Sequence, residues 1–335
     1  MPTHRPRVFL THGPKALANY YGERALSALQ GVAEVRCGQH DGPWSSAGLA
    51  DAAHGCTVIV SERRTACDAA LLARLPDLLA FCRCAVDLRH VDVAAASEHG
   101  VLVTNASAGF MTSVSEWIVG VMLDLSRRIS AAAAEYHAGL TPAPTMGREL
   151  RDATLGIIGY GQIGRTLADL GLAFGMRVVV ADPHAAVANP ALRKLTLPAL
   201  LAKADYVVCL AAATPQTENL MNAAAFAAMK PGAYFVNAAR GNLVDEDALL
   251  DSLEHGTLAG CALDVGRAPD QMPSPQLARH PRVIATPHIG GLTPAAIEHQ
   301  AMETVQQVAD ILQGRLPRGA VNGAQATRLR DRFGR

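Results

Sequence analysis

Short, almost wholly apolar runs alternate along this chain with stretches whose apolar residues recur every three or four positions. In the first hundred residues the runs are Val8-Phe9-Leu10, Thr57-Val58-Ile59-Val60, Leu78-Leu79-Ala80-Phe81 and Val101-Leu102-Val103. A strand that is apolar on both faces is covered on both faces, so the alternation predicts parallel strands with helices packed on either side. A helical pattern then runs from about Ser113 through Trp117, Val121, Leu125 and Ile129 to about Tyr136, long enough to connect two domains. Pro and Gly interrupt the chain between residues 139 and 147, which predicts a loop or hinge. Beyond it, buried strands are expected at residues 153–158, 177–181, 204–210, 233–237, 258–263 and 283–286. These make residues 108–291 one doubly wound domain, and the helical stretch from Pro294 to about Leu312 need not belong to its sheet.

The run at 153–158 leads into Gly159-Tyr160-Gly161-Gln162-Ile163-Gly164, then a helical stretch, a second strand and Asp182. In this order the first glycine makes a tight turn, the second lets backbone approach a pyrophosphate, and the third lets helix pack on strand. The helix start offers unpaired N–H groups and a positive dipole to phosphates. Asp182, 18 residues past Gly164, is placed to accept hydrogen bonds from an adenosine ribose. A 2′-phosphate there meets a like charge, so the cofactor expected is NAD rather than NADP.

Composition narrows the class. Of 335 residues 50% are apolar and 18% charged, enough for two large cores. The formal net charge is zero, which leaves no global field to recruit nucleic acid or an anionic membrane. The basic end, Arg328, Arg330, Arg332 and Arg335, reads as a solvated, frayed terminus. Without a long apolar leader or a run of membrane length, a cytoplasmic location is expected. Seven scattered cysteines, an odd number, argue for reduced thiols rather than a disulfide framework. Cys82 and Cys84 match no zinc spacing and read as small core residues, expected on opposite faces of a strand; no metal site is expected.

Ligands of parallel sheets bind at the carboxyl ends of strands, and two segments there carry chemistry: Asn237-Ala238-Ala239-Arg240-Gly241 and Thr286-Pro287-His288-Ile289-Gly290-Gly291. A guanidinium can grip the carboxylate of a 2-oxo or 2-hydroxy acid bidentately, and a histidine beside a nicotinamide can pass a proton as hydride moves. The succession of Gly159–Gly164, Thr214-Pro215-Gln216-Thr217, Met229-Lys230-Pro231-Gly232-Ala233, the segment from Asn237 to Leu249, Ala262-Leu263-Asp264-Val265 and the segment from Pro287 to Thr293 resembles the D-isomer-specific 2-hydroxyacid dehydrogenase family. Val103-Thr104-Asn105 and Val114-Ser115-Glu116 extend the resemblance into the first half.

The resemblance implies an α/β protein of two doubly wound parallel-sheet domains. One is a flavodoxin-like substrate domain from residues 1–107 plus 292–335; the other is an inserted Rossmann NAD domain, residues 108–291. It implies a cleft that closes on a small 2-oxo or 2-hydroxy acid, and a homodimer. By matching position, Arg240 holds the substrate carboxylate and polarises its carbonyl, and His288 is the acid/base. Asp264 contacts the nicotinamide carboxamide; Thr214 and Ala238 join Tyr160, Gln162, Ile163 and the three glycines at the cofactor. The alternative from another class is an NAD(H)-sensing dimeric binding or regulatory protein with little turnover.

Three departures from the family stand out. The family has Asp-Val-Phe, two variable residues and then Glu-Pro, the glutamate pairing with the histidine; here Asp264-Val265-Gly266-Arg267-Ala268-Pro269-Asp270 puts Pro269 at the glutamate position. Two readings stay open: Asp270, one residue along, supplies the carboxylate through a rearranged turn, or His288 has no acid partner and titrates near the reference value of roughly 6.5. The family's glycine-rich substrate loop is matched by the stretch from Ala85 to Asp92, which puts Val86 and Asp87 at the substrate and Arg83 and Arg89 as partners for a second anionic group, the alternative being that Asp87 and Arg89 point to solvent. Leu210-Ala211-Ala212 replaces a histidine and a proline near the cofactor, with local effects expected.

Overall fold

The computed structural model describes residues 5–334, with the Asp270 side chain outside the described set. The chain divides into two compact units, one running to Phe110 and resuming at Thr293, the other Met111–Leu292.

The first unit carries β1 (Arg7–Leu10), β2 (Glu34–Cys37), β3 (Val58–Ser61), β4 (Ala80–Arg83) and β5 (Leu102–Asn105), all parallel, in the order β2-β1-β3-β4-β5. Two cores cover the faces of this sheet. One gathers Val8, Val60, Leu102 and Cys82 with Val305 and Val308 of the helix Pro294–Ile311; the other gathers Phe9, Ile59, Phe81 and Val103. The late helix thus belongs to the first sheet, not the second. Cys82 and Cys84 both enter the first of these cores. Residues two apart on a strand share a face, which corrects the expectation that they would part.

The second unit carries β6 (Thr154–Ile158), β7 (Arg177–Ala181), β8 (Leu192–Lys194), β9 (Tyr206–Cys209), β10 (Ala233–Asn237), β11 (Leu258–Leu263) and β12 (Val283–Ala285). All are parallel, in the order β12-β11-β10-β9-β6-β7-β8. The chain reverses its direction of winding between β6 and β9, and the glycine turn leaves β6 at that point, where such sheets bind ligands.

Hydrophobic runs predict the buried strands and miss two edges. β2 reads Glu-Val-Arg-Cys with alternate residues exposed, and β8 is Leu-Arg-Lys with only the leucine buried. An edge strand has solvent along one side and needs no continuous apolar run. The helix expected from Ser113 to Tyr136 is instead two helices, Met111–Arg127 and Ile129–His137. Arg128 breaks it in the left-handed region (φ 55°), and the Ser130 N–H caps onto Asp124 at 2.8 Å. The expected frayed end is also ordered: Thr327–Phe333 is a helix with Leu329 buried, and Arg328 donates to the carbonyls of Leu75 and Leu78 at 2.7 and 3.0 Å.

Candidate active site

The glycine turn follows from steric limits at each position. Gly159 sits at φ +95°, and a Cβ there would lie 2.6 Å from the Leu210 carbonyl oxygen. A Cβ on Gly164 would lie 2.4 Å from the Gly159 carbonyl oxygen, so helix and turn meet backbone to backbone. Gly161 differs: it has negative φ, and a Cβ there would meet no protein atom within 4 Å. Protein packing therefore leaves position 161 open on its outer side, the side a pyrophosphate backbone contact requires. The helix Gln162–Ala173 starts on Gly161 with no side-chain cap and no acidic residue in its first turn, so its leading N–H groups and dipole face outward. These features fit a dinucleotide.

Asp182 accepts from the backbone N–H groups of Tyr160 and His184, both at 2.8 Å, and of Ala185 at 2.9 Å. Partial burial raises its pKa, but the three donors outweigh that and hold the carboxyl below its ordinary value. The acid thus ties β7 to the glycine turn. Tyr160 is buried under the Arg165 guanidinium, 4.8 Å from the ring centre. Gln162 is exposed at the helix start, and the Ile163 carbonyl accepts from Ser115 Oγ at 3.3 Å. Thr214 opens an exposed 3₁₀ turn after β9, its N–H donating to Thr217 Oγ1 at 2.8 Å, and Ala238 is half-buried just past β10.

Arg240, Asp264 and His288 follow β10, β11 and β12, three adjacent strands, at one edge of the sheet. Asp264, 4% exposed, is occupied by the histidine loop. It accepts from Thr286 Oγ1 at 2.6 Å, Ile289 N–H at 2.8 Å and Gly290 N–H at 2.7 Å. His288, between these anchors, lies in the left-handed region at φ 56°. Such backbone costs about 1–3 kcal/mol, and it persists where surroundings over-determine it; here the Asp264 clamp does so. Arg240 is half-buried, with Nη1 donating to the Ala239 carbonyl at 2.7 Å. Its own carbonyl accepts from Asn237 Nδ2 at 3.0 Å, which orients the turn. Asp270 falls in the 3₁₀ turn Pro269–Gln271; its side chain lies outside the described residues.

In the first unit the loop after β4 is built around its own ion pair. Asp87 accepts from Arg89 N–H at 2.7 Å and Arg89 Nε at 2.5 Å, while Val86 is 39% exposed and its carbonyl accepts from Asn105 Nδ2. Arg83, expected to face a second anionic group, is instead fully buried and donates to the carbonyls of Glu62 and Thr65. Register explains this: Arg83 is the last residue of β4, paired with Ser61, and its side chain turns into the core beside Phe81.

One site residue escapes sequence reasoning. Arg267 donates through Nε to the Val244 carbonyl at 3.1 Å and through Nη2 to Glu218 at 2.9 Å, Asn219 at 2.5 Å and the Asn242 carbonyl at 3.1 Å. Its partners lie 23 to 49 residues away, so no local signal marks it.

The family model of the D-isomer specific 2-hydroxyacid dehydrogenase NAD binding domain matches residues 119–290. The chain is 34% identical over 310 residues to D-3-phosphoglycerate dehydrogenase of Mycobacterium leprae, a match covering 91% of this chain and 58% of that protein. It is 36% identical over 259 residues to (S)-sulfolactate dehydrogenase of Chromohalobacter salexigens, covering 76% of this chain and 84% of that one. A solved structure of a Thermus thermophilus protein has a TM-score of 0.83 at 32% identity and covers 94% of this chain and 99% of its own. The chain spans 58% of the length of the mycobacterial phosphoglycerate dehydrogenase it matches.

Proposed function

This chain belongs to the D-isomer-specific 2-hydroxyacid dehydrogenase family and carries its NAD-binding domain, and from that premise we propose that it interconverts a small D-2-hydroxy acid and the corresponding 2-oxo acid. The observation that carries the reading is the placement of Arg240, Asp264 and His288 after three adjacent strands, on the sheet whose glycine turn fits a dinucleotide. When bound, NAD(H) supplies the hydride exchanged with C2 of the acid. Gly159, Gly161, Gly164 and Asp182 hold the cofactor, with Tyr160, Gln162, Ile163, Thr214 and Ala238 around it. Arg240 grips the substrate carboxylate and faces the charge that develops on the C2 oxygen. His288 gives or takes the proton at that oxygen. Asp264 holds the His288 loop in its left-handed turn. Asp270 is the proposed acid partner of His288, and Val86 and Asp87 are proposed to contribute to recognition of the acid.

A homodimer is part of the same proposal. No residue of the helix Ile129–His137 is buried, and Ile129, Tyr136, Leu140 and Met146 expose apolar surface over one continuous stretch of chain. Apolar side chains left exposed in this way favour association with a second copy. Light scattering after gel filtration should give twice the chain mass for wild type and a monomer for Tyr136→Glu combined with Ile129→Glu. The seven unpaired cysteines suit a reducing cytoplasmic compartment; among the described residues, no helix is long and apolar enough to cross a membrane.

The direct test is NADH oxidation with a panel of 2-oxo acids, run in parallel with NADPH. Turnover with NADH and at least one acid is expected. Tight NADH binding without turnover of any acid would overturn the proposal.

A further inference from the structure

At the carboxyl edge of the second sheet, β9, β10 and β11 stand side by side, and each sends a loop outward. The loop after β9 flanks the glycine turn, since the Leu210 carbonyl is the group a Cβ on Gly159 would strike. The loop after β10 carries Arg240. The loop after β11 runs from Asp264 to Arg267. Backbone pairing joins the first two: Asn219 N–H donates to the Asn242 carbonyl and Met221 N–H to the Leu243 carbonyl, both at 2.9 Å. The third is joined to them through Arg267.

Its guanidinium reaches Glu218 and Asn219 on one side and the Asn242 and Val244 carbonyls on the other, and its N–H donates to Glu246 at 3.0 Å. Asn242 Nδ2 closes the ring by donating to Glu218 at 2.9 Å. The Asn242 bond and then the Arg267 guanidinium hold the Glu218 carboxyl below its ordinary value. Beneath this ring two glycines touch. A Cβ on Gly241 would fall 2.1 Å from the Gly266 carbonyl carbon, and one on Gly266 would fall 2.6 Å from Pro273 Cα. Gly266 stands where the family has phenylalanine. No side chain fits there, so the backbone of the Asp264 loop lies directly on the residue that follows Arg240.

We propose that Arg267 is a positioning residue: by pinning the loop after β11 onto Gly241, it sets the placement of Arg240 toward the substrate carboxylate. The proposal rests on the reading of Arg240 as the carboxylate grip. A planar guanidinium with forked donors can serve four acceptors on two loops at once, whereas a lysine ammonium has three donors at a single point. Removing the side chain takes away the guanidinium bonds to both other loops and leaves the third loop held by the Arg267 N–H to Glu246 and the Gly241–Gly266 contact, while the backbone pairing of the other two and the glycine turn persist.

The test compares wild type, Arg267→Ala and Arg267→Lys by three measurements: steady-state reduction of a 2-oxo acid, NADH affinity, and calorimetric binding of oxamate, a 2-oxo acid isostere, to the NADH complex. In Arg267→Ala, oxamate affinity and kcat/KM should fall about tenfold or more, chiefly through KM, because small displacements of an orienting group are costly. NADH affinity should stay within about twofold, since the glycine turn is untouched, and Arg267→Lys should fall between the two. Loss of general structure would move NADH affinity equally, and that result overturns the proposal, as does an Arg267→Ala or Arg267→Lys protein matching wild type in oxamate affinity and kcat/KM. If Arg267→Ala does not fold, Arg267→Lys carries the same comparison. A wild-type protein that neither reduces 2-oxo acids nor binds oxamate overturns the functional reading itself, and the proposal with it.

Discussion

Replacing Asp264 with asparagine tests how the histidine loop is held. Asp264 Oδ1 serves Thr286 and Ile289, and Oδ2 serves Gly290 at 2.7 Å. An asparagine can keep its carbonyl oxygen toward the first two donors, but its NH2 then opposes the Gly290 N–H. A hydrogen bond to a charged group contributes about 1.5–3 kcal/mol, and leaving a buried donor unpaired costs a similar amount, so Asp264→Asn should lower stability by roughly 2–4 kcal/mol. The loop then has less to hold His288 at φ 56°, and relaxation of that turn moves the imidazole. A displacement of about 1 Å in a catalytic group can cost on the order of 100-fold in rate. Gly290→Ala strikes the same bond from the other side, since its Cβ would fall 2.8 Å from Asp264 Oδ2. Both variants should therefore lose kcat in single-turnover assays of NADH consumption, with NADH affinity nearly unchanged. If Asp264 acts instead mainly as a contact to the nicotinamide carboxamide, Asp264→Asn weakens NADH binding while Gly290→Ala does not. That outcome, or wild-type kcat in both variants, would refute the clamp.

Three further perturbations separate local from global roles. Gly161→Ala should leave stability within about 0.5 kcal/mol of wild type, yet weaken NADH about tenfold or more, because a Cβ there meets ligand rather than protein; Gly164→Ala should lower the melting temperature, and equal thermal effects in both would refute the distinction. His12, 1% exposed, has its pKa lowered by burial to about 3. Its unfolded form therefore takes up a proton near pH 6.5 while the folded form does not, so stability falls by about 1.4 kcal/mol per pH unit between those values. His12→Gln should flatten that acid limb in chemical denaturation, and an unchanged slope rules the assignment out. Asp270→Asn should lower the acidic-side pKa of the rate profile, because a carboxylate beside an imidazole favours its charged form; an unmoved profile would exclude Asp270 as the partner of His288.

Short-range pattern alone carried the buried strands and the glycine turn, though not the break at Arg128 or the shared face of Cys82 and Cys84. Buried parallel strands read as apolar runs, so ten of the twelve strands among the described residues were legible, and the glycine turn was legible from its spacing between an apolar run and a helical stretch; Gly164 meets Gly159 five residues back, whereas the clash that excludes a side chain at Gly159 is with Leu210, which only the sheet brings near. Arg240 and His288 could be singled out because each closes an apolar strand with a polar side chain among small residues. Tertiary structure decided what depends on partners distant in sequence. It turned Arg83 from an expected partner of a second anionic group into a buried clamp on the Glu62 and Thr65 carbonyls, since strand register aims its side chain inward. It gave Asp264 three donors from a loop more than twenty residues on. It also drew Arg267 into a ring with residues from two other loops, contacts that no spacing in the chain encodes. Pattern reports which surface an element must bury; only the assembled sheet edge brings together the groups that will share a proton or a hydrogen bond.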